Sequence, residues 1–241
     1  LKTLGIIGGL GPLAGAHFYE RLVHFTPAAG DAGHIPTILI SDPAIPSRIL
    51  HLTGRGPSPV PQLVSVAERL IQAGADIVAM PSTTTSYYCD EIQTQISVPL
   101  ISLIGAVRDT LSRCGIRNVG ILATTPTRTH RIYEASFRER DIRWVYPDDA
   151  SQRRVMDLIT AVKGMAPTED ARNLGSELHA LIAGSWADGT DAVLLGCTEL
   201  PVIWNRWDPR NISETRFVFS ATDILAETTV SLVVGHVVRP L

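Results

Sequence analysis

Apolar positions along the chain fall into two alternating patterns. Short runs rich in Ile, Val and Leu occupy residues 4–8 (LGIIG), 37–41 (TILIS), 76–80 (DIVAM), 119–123 (VGILA), 192–196 (AVLLG) and 217–220 (FVFS). Continuous apolarity over so few residues predicts strands buried on both faces, as parallel strands are. Between them, residues 12–25, 61–73, 101–113, 129–140 and 171–184 carry apolar side chains at helical spacing. A last apolar stretch, ATDILAETTVSLVV (221–234), predicts a helix that folds back on the first half. Alternation of this kind predicts an α/β fold of mainly parallel sheets flanked by helices, with ligands at the carboxyl ends of strands.

The chain also repeats itself. GADIVAMPSTT (74–84) lies over GTDAVLLGCTE (189–199), pairing Gly74 with Gly189, Asp76 with Asp191 and Ser82 with Cys197, each 115 residues apart. LGIIGGLGP (4–12) matches VGILATTP (119–126) with Gly5 and Gly120 at the same offset, and Tyr19 with Tyr133 at one less. Two pseudo-symmetric domains are therefore expected, residues 1–100 plus 212–241 and residues 101–211, each contributing a strand end and turn to an active site in the cleft they share.

Composition narrows the partners. With 241 residues, 45% of them hydrophobic, the chain can bury substantial cores. A net charge of −3 without runs of like charge gives no footprint for nucleic acid or an anionic membrane, so small molecules or further copies of the chain are the expected partners. Cys89, Cys114 and Cys197 are odd in number and widely spaced, which fits reduced thiols in the cytoplasm. LKTLGIIGGLG lacks the ordered parts of a secretory leader, and no stretch reaches about 18 apolar residues, so a soluble intracellular protein is expected. The seven histidines form no HExxH or clustered set, and no metal is expected.

Candidate chemistry sits at the strand ends. Gly9, Gly11 and Ala14 satisfy a G-x-G-x-x-A pattern between a strand and a helix, the mark of a dinucleotide site. Pro12 interrupts that pattern, and Asp42 follows Ala14 later than the roughly 20 residues at which an acid reaches the ribose, so close approach of Gly9 and Leu10 to a small substrate is the other reading. In GCTEL, a thiol at a helix N-terminus is expected to have its pKa lowered by amide donors and the dipole. Thr124 and Thr127 fall where hydroxyls cap helices and can also touch a ligand. Glu199 either caps the following turn or tunes the thiol. Cys89 and Cys114 lie in or at the end of helical patterns, as small buried cysteines do.

GIIGGLGPLA (5–14), DPAIPSR (42–48), LATTPT (122–127) with the following Tyr133, and above all AVLLGCTELP (192–201) resemble the aspartate/glutamate racemase superfamily over nearly the whole chain. The resemblance implies two pseudo-symmetric α/β domains, no cofactor, frequent homodimers, and one cysteine per domain facing the substrate Cα from opposite sides. It further implies that Arg48 and Lys163 hold substrate carboxylate. Gly9, Leu10, Thr84, Thr124, Thr127, Thr198 and Glu199 are expected among the substrate contacts. Where the family carries a segment like PCNTAH, this chain reads PSTTTS: Ser82 replaces the cysteine, Thr83 the asparagine and Ser86 the histidine, while Thr84 is kept. A hydroxyl is a far weaker acid than a thiol, so Ser82 and Thr83 are expected to donate hydrogen bonds, position water or return a proton while Cys197 works the other face. Three readings stay open: an amino-acid racemase or epimerase with unequal faces, a single-cysteine decarboxylase resembling arylmalonate decarboxylase, and a binding protein without turnover.

Overall fold

The computed structural model describes residues 1–136, 142–164, 172–187, 189–206 and 217–235. Two compact units divide the chain, Leu1–Val107 with Thr222–Leu241, and Arg108–Ala221. The expected boundary between residues 211 and 212 lies outside the described residues. In chain order the first unit begins with β1 (Leu4–Gly8), α1 (Pro12–Phe25), β2 (Thr37–Ser41), α2 (Arg48–Leu52), α3 (Val60–Gln72), β3 (Ile77–Ala79), α4 (Cys89–Gln93) and β4 (Leu100–Ile101). Next come α5 (Leu103–Arg113), β5 (Asn118–Leu122), α6 (Thr125–Thr129), α7 (Ile132–Ser136), β6 (Arg143–Val145), α8 (Asp149–Gly164), α9 (Arg172–Ala187), β7 (Ala192–Leu195), α10 (Leu200–Arg206), β8 (Val218–Ser220) and α11 (Ala221–Val234). Each unit holds a four-stranded sheet in which every pairing is parallel, ordered β2-β1-β3-β4 and β6-β5-β7-β8. No helix among the described residues is long and apolar enough to cross a membrane.

Hydrophobic patterning explains the layers. The inner strands β1, β3 and β7 are buried throughout, and α3 turns Val60, Leu63, Val64, Ala67 and Leu70 inward at helical spacing to cover the first sheet. Pro12 opens α1, where a missing N–H costs nothing. The segments TILIS and FVFS depart from the expectation of full burial. Both form edge strands, and Thr37–Ser41 and Val218–Ser220 are largely half-buried or exposed because one flank has no neighbouring strand. The helix expected over residues 129–140 is broken: His130 closes α6, Arg131 adopts φ 48°, and α7 starts afresh at Ile132. Residues 137–140 lie outside the description.

The 115-residue repeat is physical. Leu4, Gly5 and Ile6 pair with Ile77, Val78 and Ala79; Val119, Gly120 and Ile121 pair with Ala192, Val193 and Leu194 in the same register. Asp76 Oδ2 accepts the Thr3 amide at 2.7 Å, and Asp191 Oδ2 accepts the equivalent Asn118 amide at 2.8 Å. Both aspartates thus anchor the start of a neighbouring strand. The glycines recur for packing. A Cβ on Gly5 would stand 3.0 Å from Ala75 Cβ and 3.1 Å from Leu70 Cβ, and one on Gly120 would meet Ser185 Cβ at 2.9 Å and Thr190 Cγ2 at 3.3 Å. Tyr19 and Tyr133 do not share a role: the first is exposed on α1, the second fully buried on α7. The last helix is tied to the first by Arg21, whose Nε donates to Asp223 Oδ1 at 2.8 Å and whose guanidinium lies 4.7 Å from the Phe25 ring centre.

If helix and sheet meet through these glycines in both units, Gly5→Ala and Gly120→Ala should each destabilise the protein by about 1–3 kcal/mol, the usual cost of overpacking. Chemical denaturation of the two variants checks this; a neutral result for either removes the packing explanation for that glycine. Arg21→Ala should cost about 2 kcal/mol through the charged hydrogen bond to Asp223, read in the same experiment.

Candidate active site

In the second unit, β7 leaves the sheet at Leu195 and the chain turns through Gly196, Cys197, Thr198 and Glu199 into α10. Gly196 fixes the turn. Its amide donates to Leu122 O at 2.8 Å, its carbonyl accepts the Tyr133 hydroxyl at 3.0 Å, and a Cβ there would press on Ile121 Cγ1 at 3.1 Å and on the Tyr133 hydroxyl at 3.2 Å. Cys197, Thr198 and Glu199 are all buried. The Cys197 thiol donates to Glu199 Oε2 at 2.9 Å. Glu199 Oε1 lies 3.7 Å from Lys163 Nζ, which reaches in from the last turn of α8. Of that pair the Glu199 side chain is 5% exposed and the Lys163 side chain 43%, so the carboxylate is the desolvated partner.

These neighbours reverse the expected acidity of the thiol. Burial holds Cys197 well above the ordinary cysteine range, and the Glu199 carboxylate adds to it by charge and by accepting the thiol proton; the Glu199 backbone amide and Lys163 act in the opposite direction. The short helix α10 does not overcome a carboxylate in contact with the sulfur. Glu199 also resolves in favour of the thiol rather than a cap, since its two oxygens face sulfur and ammonium.

Thr124 and Thr127 belong to the same unit. Thr124 caps α6, its Oγ1 accepting the Thr127 amide at 3.3 Å and lying 2.9 Å from Thr127 Oγ1, with both residues buried. Gln152 on α8 steadies this turn by donating from Nε2 to Ala123 O at 2.9 Å and to Thr125 Oγ1 at 3.3 Å. Sequence reasoning missed Gln152. The mixed polar pattern of α8, with Arg153 and Arg154 beside it, gave no sign that one of its glutamines turns inward.

In the first unit, the register-equivalent turn follows β3 through Met80 and Pro81 to Ser82. The Ser82 amide donates to Met80 O at 2.8 Å, and Ser82 Oγ accepts the hydroxyl of fully buried Thr85 at 2.7 Å. Ser82 and Thr83 are buried, and Thr84 is half-buried. Much of this hydroxyl-rich turn is spent on itself: Ser86 donates to Ser82 O at 3.3 Å, and the Tyr88 hydroxyl lies 2.8 Å from His51 Nδ1. Burial, then the neighbouring Tyr87, pushes Tyr88 up to about 12, with Arg48 acting the other way. The His51–Tyr88 contact has no sequence signal, because its partners stand 37 residues apart in unlike patterns.

Gly9, Leu10 and Arg48 come together at the carboxyl end of β1. Arg48 opens α2 and donates from Nη2 to Leu10 O at 2.7 Å and from Nη1 to Pro46 O at 3.4 Å, so it clasps two loops. Gly9, at φ 88°, lies so close to the Asp42 backbone that a Cβ would fall 2.4 Å from the Asp42 carbonyl carbon. The Asp42 carboxylate is occupied by the Ala44 amide at 3.0 Å and by Gln62 Nε2 at 2.9 Å, within its own loop rather than poised over the glycine turn. Cys89 is buried and pushed up to about 12 by that burial, whereas Cys114 is exposed, against the expectation of a second buried cysteine.

Comparison with known proteins agrees with this architecture. A model of the Asp/Glu/Hydantoin racemase family matches residues 7–229. Aspartate racemase from Picrophilus torridus is similar in structure, with a TM-score of 0.81 and 30% identity, covering 98% of this chain and 95% of its own. The broad specificity amino-acid racemase RacX of Bacillus subtilis is 22% identical over 97% of this chain and 99% of its own. Unliganded arylmalonate decarboxylase shares the fold at a TM-score of 0.51 and 17% identity, covering 97% of this chain and 92% of its own. Two parallel four-stranded α/β units and a family match running nearly end to end make this chain an isomerase-class enzyme, a member of the Asp/Glu/Hydantoin racemase family.

Proposed function

We propose that the protein is a cofactor-independent amino-acid racemase for aspartate- or glutamate-type substrates, with Cys197 as the acid-base group on one face and Ser82 with Thr83 serving the other. The observation that carries this reading is the Cys197 thiol at the end of β7, hydrogen-bonded to a buried carboxylate, inside the family's matched span. The likeness to an aspartate racemase at 30% identity favours a dicarboxylic substrate.

The chemistry follows from the groups. Removing a proton from a carbon beside a carboxylate requires a base close to that carbon and donors for the charge that spreads into the carboxylate. Cys197, once ionised, takes the Cα proton. Arg48 and Lys163 supply guanidinium and ammonium for the substrate carboxylates. Thr84, Thr124, Thr127, Thr198 and the Gly9–Leu10 backbone add neutral donors. Ser82 accepts from Thr85, which leaves its own proton to donate. A serine cannot match a thiolate as a base, so the two directions should run at unequal rates. The same proposal includes a homodimer located in the cytoplasm.

A single-face decarboxylase is the second reading, favoured by the hydroxyl in place of the first cysteine. There Cys197 would protonate the carbanion left when carbon dioxide departs.

Chiral chromatography after incubation with single enantiomers of aspartate and glutamate, beside substituted malonates, separates these readings. Interconversion of an amino acid is expected; product from a malonate alone would replace the racemase. Cys197→Ala should lower turnover by at least about 100-fold, the contribution of one acid-base group. Ser82→Cys should raise the slower direction, and an unchanged ratio of the two directions would count against the pairing of the two turns.

A further inference from the structure

We propose that Glu199 is the proton acceptor that converts the Cys197 thiol into a thiolate, with Lys163 holding the carboxylate ionised beside it. The inference rests on the reading of Cys197 as the acid-base residue and assigns the means by which it is activated.

A carboxylate this deeply buried needs compensation for the water it has lost. Glu199 finds it in two groups, the Lys163 ammonium at 3.7 Å on Oε1 and the thiol at 2.9 Å on Oε2. The two partners of the thiol contact are held by the same turn, which Leu200 N to Cys197 O and Val202 N to Glu199 O close at 3.1 Å each. Gly196, locked between Leu122 O and the Tyr133 hydroxyl, sets where that turn begins. The charged and titratable groups facing the sulfur among the described residues are Glu199 on its own turn and Lys163 from α8; Tyr133 from α7 spends its hydroxyl on the Gly196 carbonyl.

One proton is shared by this pair in either of two arrangements, thiol with carboxylate or thiolate with carboxylic acid. The net charge is the same in both, so the Lys163 field stabilises each and movement of the proton creates no new buried charge. In the first step the S–H proton passes to Glu199 Oε2. The thiolate then takes the substrate Cα proton, the C–H pair flows into the substrate carboxylate, and the thiol is restored. A donor on the opposite face protonates the carbanion. Glu199 loses its extra proton to water while that donor regains one.

A carboxylate that only sits beside the thiol does the opposite: it suppresses the thiolate and offers nothing in return. This contrast gives a test with diverging signs. The proteins are wild type, Glu199→Gln, Glu199→Asp and Cys197→Ser, and two quantities are measured. Ultraviolet thiolate absorbance is titrated against pH for each Glu199 form, with the matching Cys197→Ser protein subtracted. Racemisation is followed with aspartate and with glutamate.

Glu199→Gln should shift the Cys197 titration to lower pH, because a negative charge is removed while Lys163 remains. Its racemisation should nevertheless fall roughly 100-fold. Glu199→Asp, which keeps the acceptor one methylene further away, should recover part of the rate, a recovery not expected if the glutamine variant had merely lost its fold. Racemisation at or above the wild-type rate in Glu199→Gln overturns the proposal, as does a Cys197 titration that the substitution leaves unmoved. Wild-type racemisation in Cys197→Ser would instead sink the underlying reading, independently of what Glu199 does.

Discussion

Hydrogen bonding between parallel strands fixes how far along each inner strand the chain is released into its turn. In both units that release comes at the same register. Ile6 pairs with Ala79 and Ile121 with Leu194, and three residues beyond each partner stand Ser82 and Cys197. The strand-interior glycines Gly5 and Gly120 let a helix approach each sheet closely, and Asp76 and Asp191 anchor the start of the neighbouring strand. Scaffold and turn position are thus duplicated, and only the side chains at the turn are free to differ.

They differ in what they face. Cys197 meets an acceptor, the Glu199 carboxylate, while Ser82 meets a donor, the Thr85 hydroxyl. A thiol beside a carboxylate is arranged to lose its proton. A serine that already accepts a hydrogen bond is arranged to donate its own. The asymmetry lies in the polarity of the second group at each turn as well as in sulfur against oxygen. It accounts for a fold built as a repeat whose chemistry is unequal on its two sides.

Much of this was legible in the chain. β1, β2, α1 and α11 begin and end where apolar pattern and proline predict. The 115-residue offset located the equivalent turns because it survives through β1, β3, β5 and β7. It fails at β2 and β6, where Leu4 opposes Thr37 but Val119 opposes Trp144, so the first connection is longer and the short strand RWV went unseen. α8 was missed for a different reason: it is polar on most of its surface and buries a narrow stripe of Val155, Leu158, Ile159 and Val162. Within the site, residue types were readable and directions were not. A glutamate two places after a cysteine can point to solvent, to its helix or to the sulfur, and the choice depends on Lys163 arriving from another element. The contact of His51 with Tyr88 depends likewise on where α2 packs.

Exchange of the Cα hydrogen in heavy water tests the central claim most directly, because it registers proton removal even when inversion is slow. Each enantiomer of aspartate and of glutamate is incubated with the wild-type protein and followed by proton magnetic resonance. The account predicts that the Cα signal of one substrate is lost, faster for one enantiomer than the other. Persistence of that signal in both enantiomers of both amino acids would contradict it.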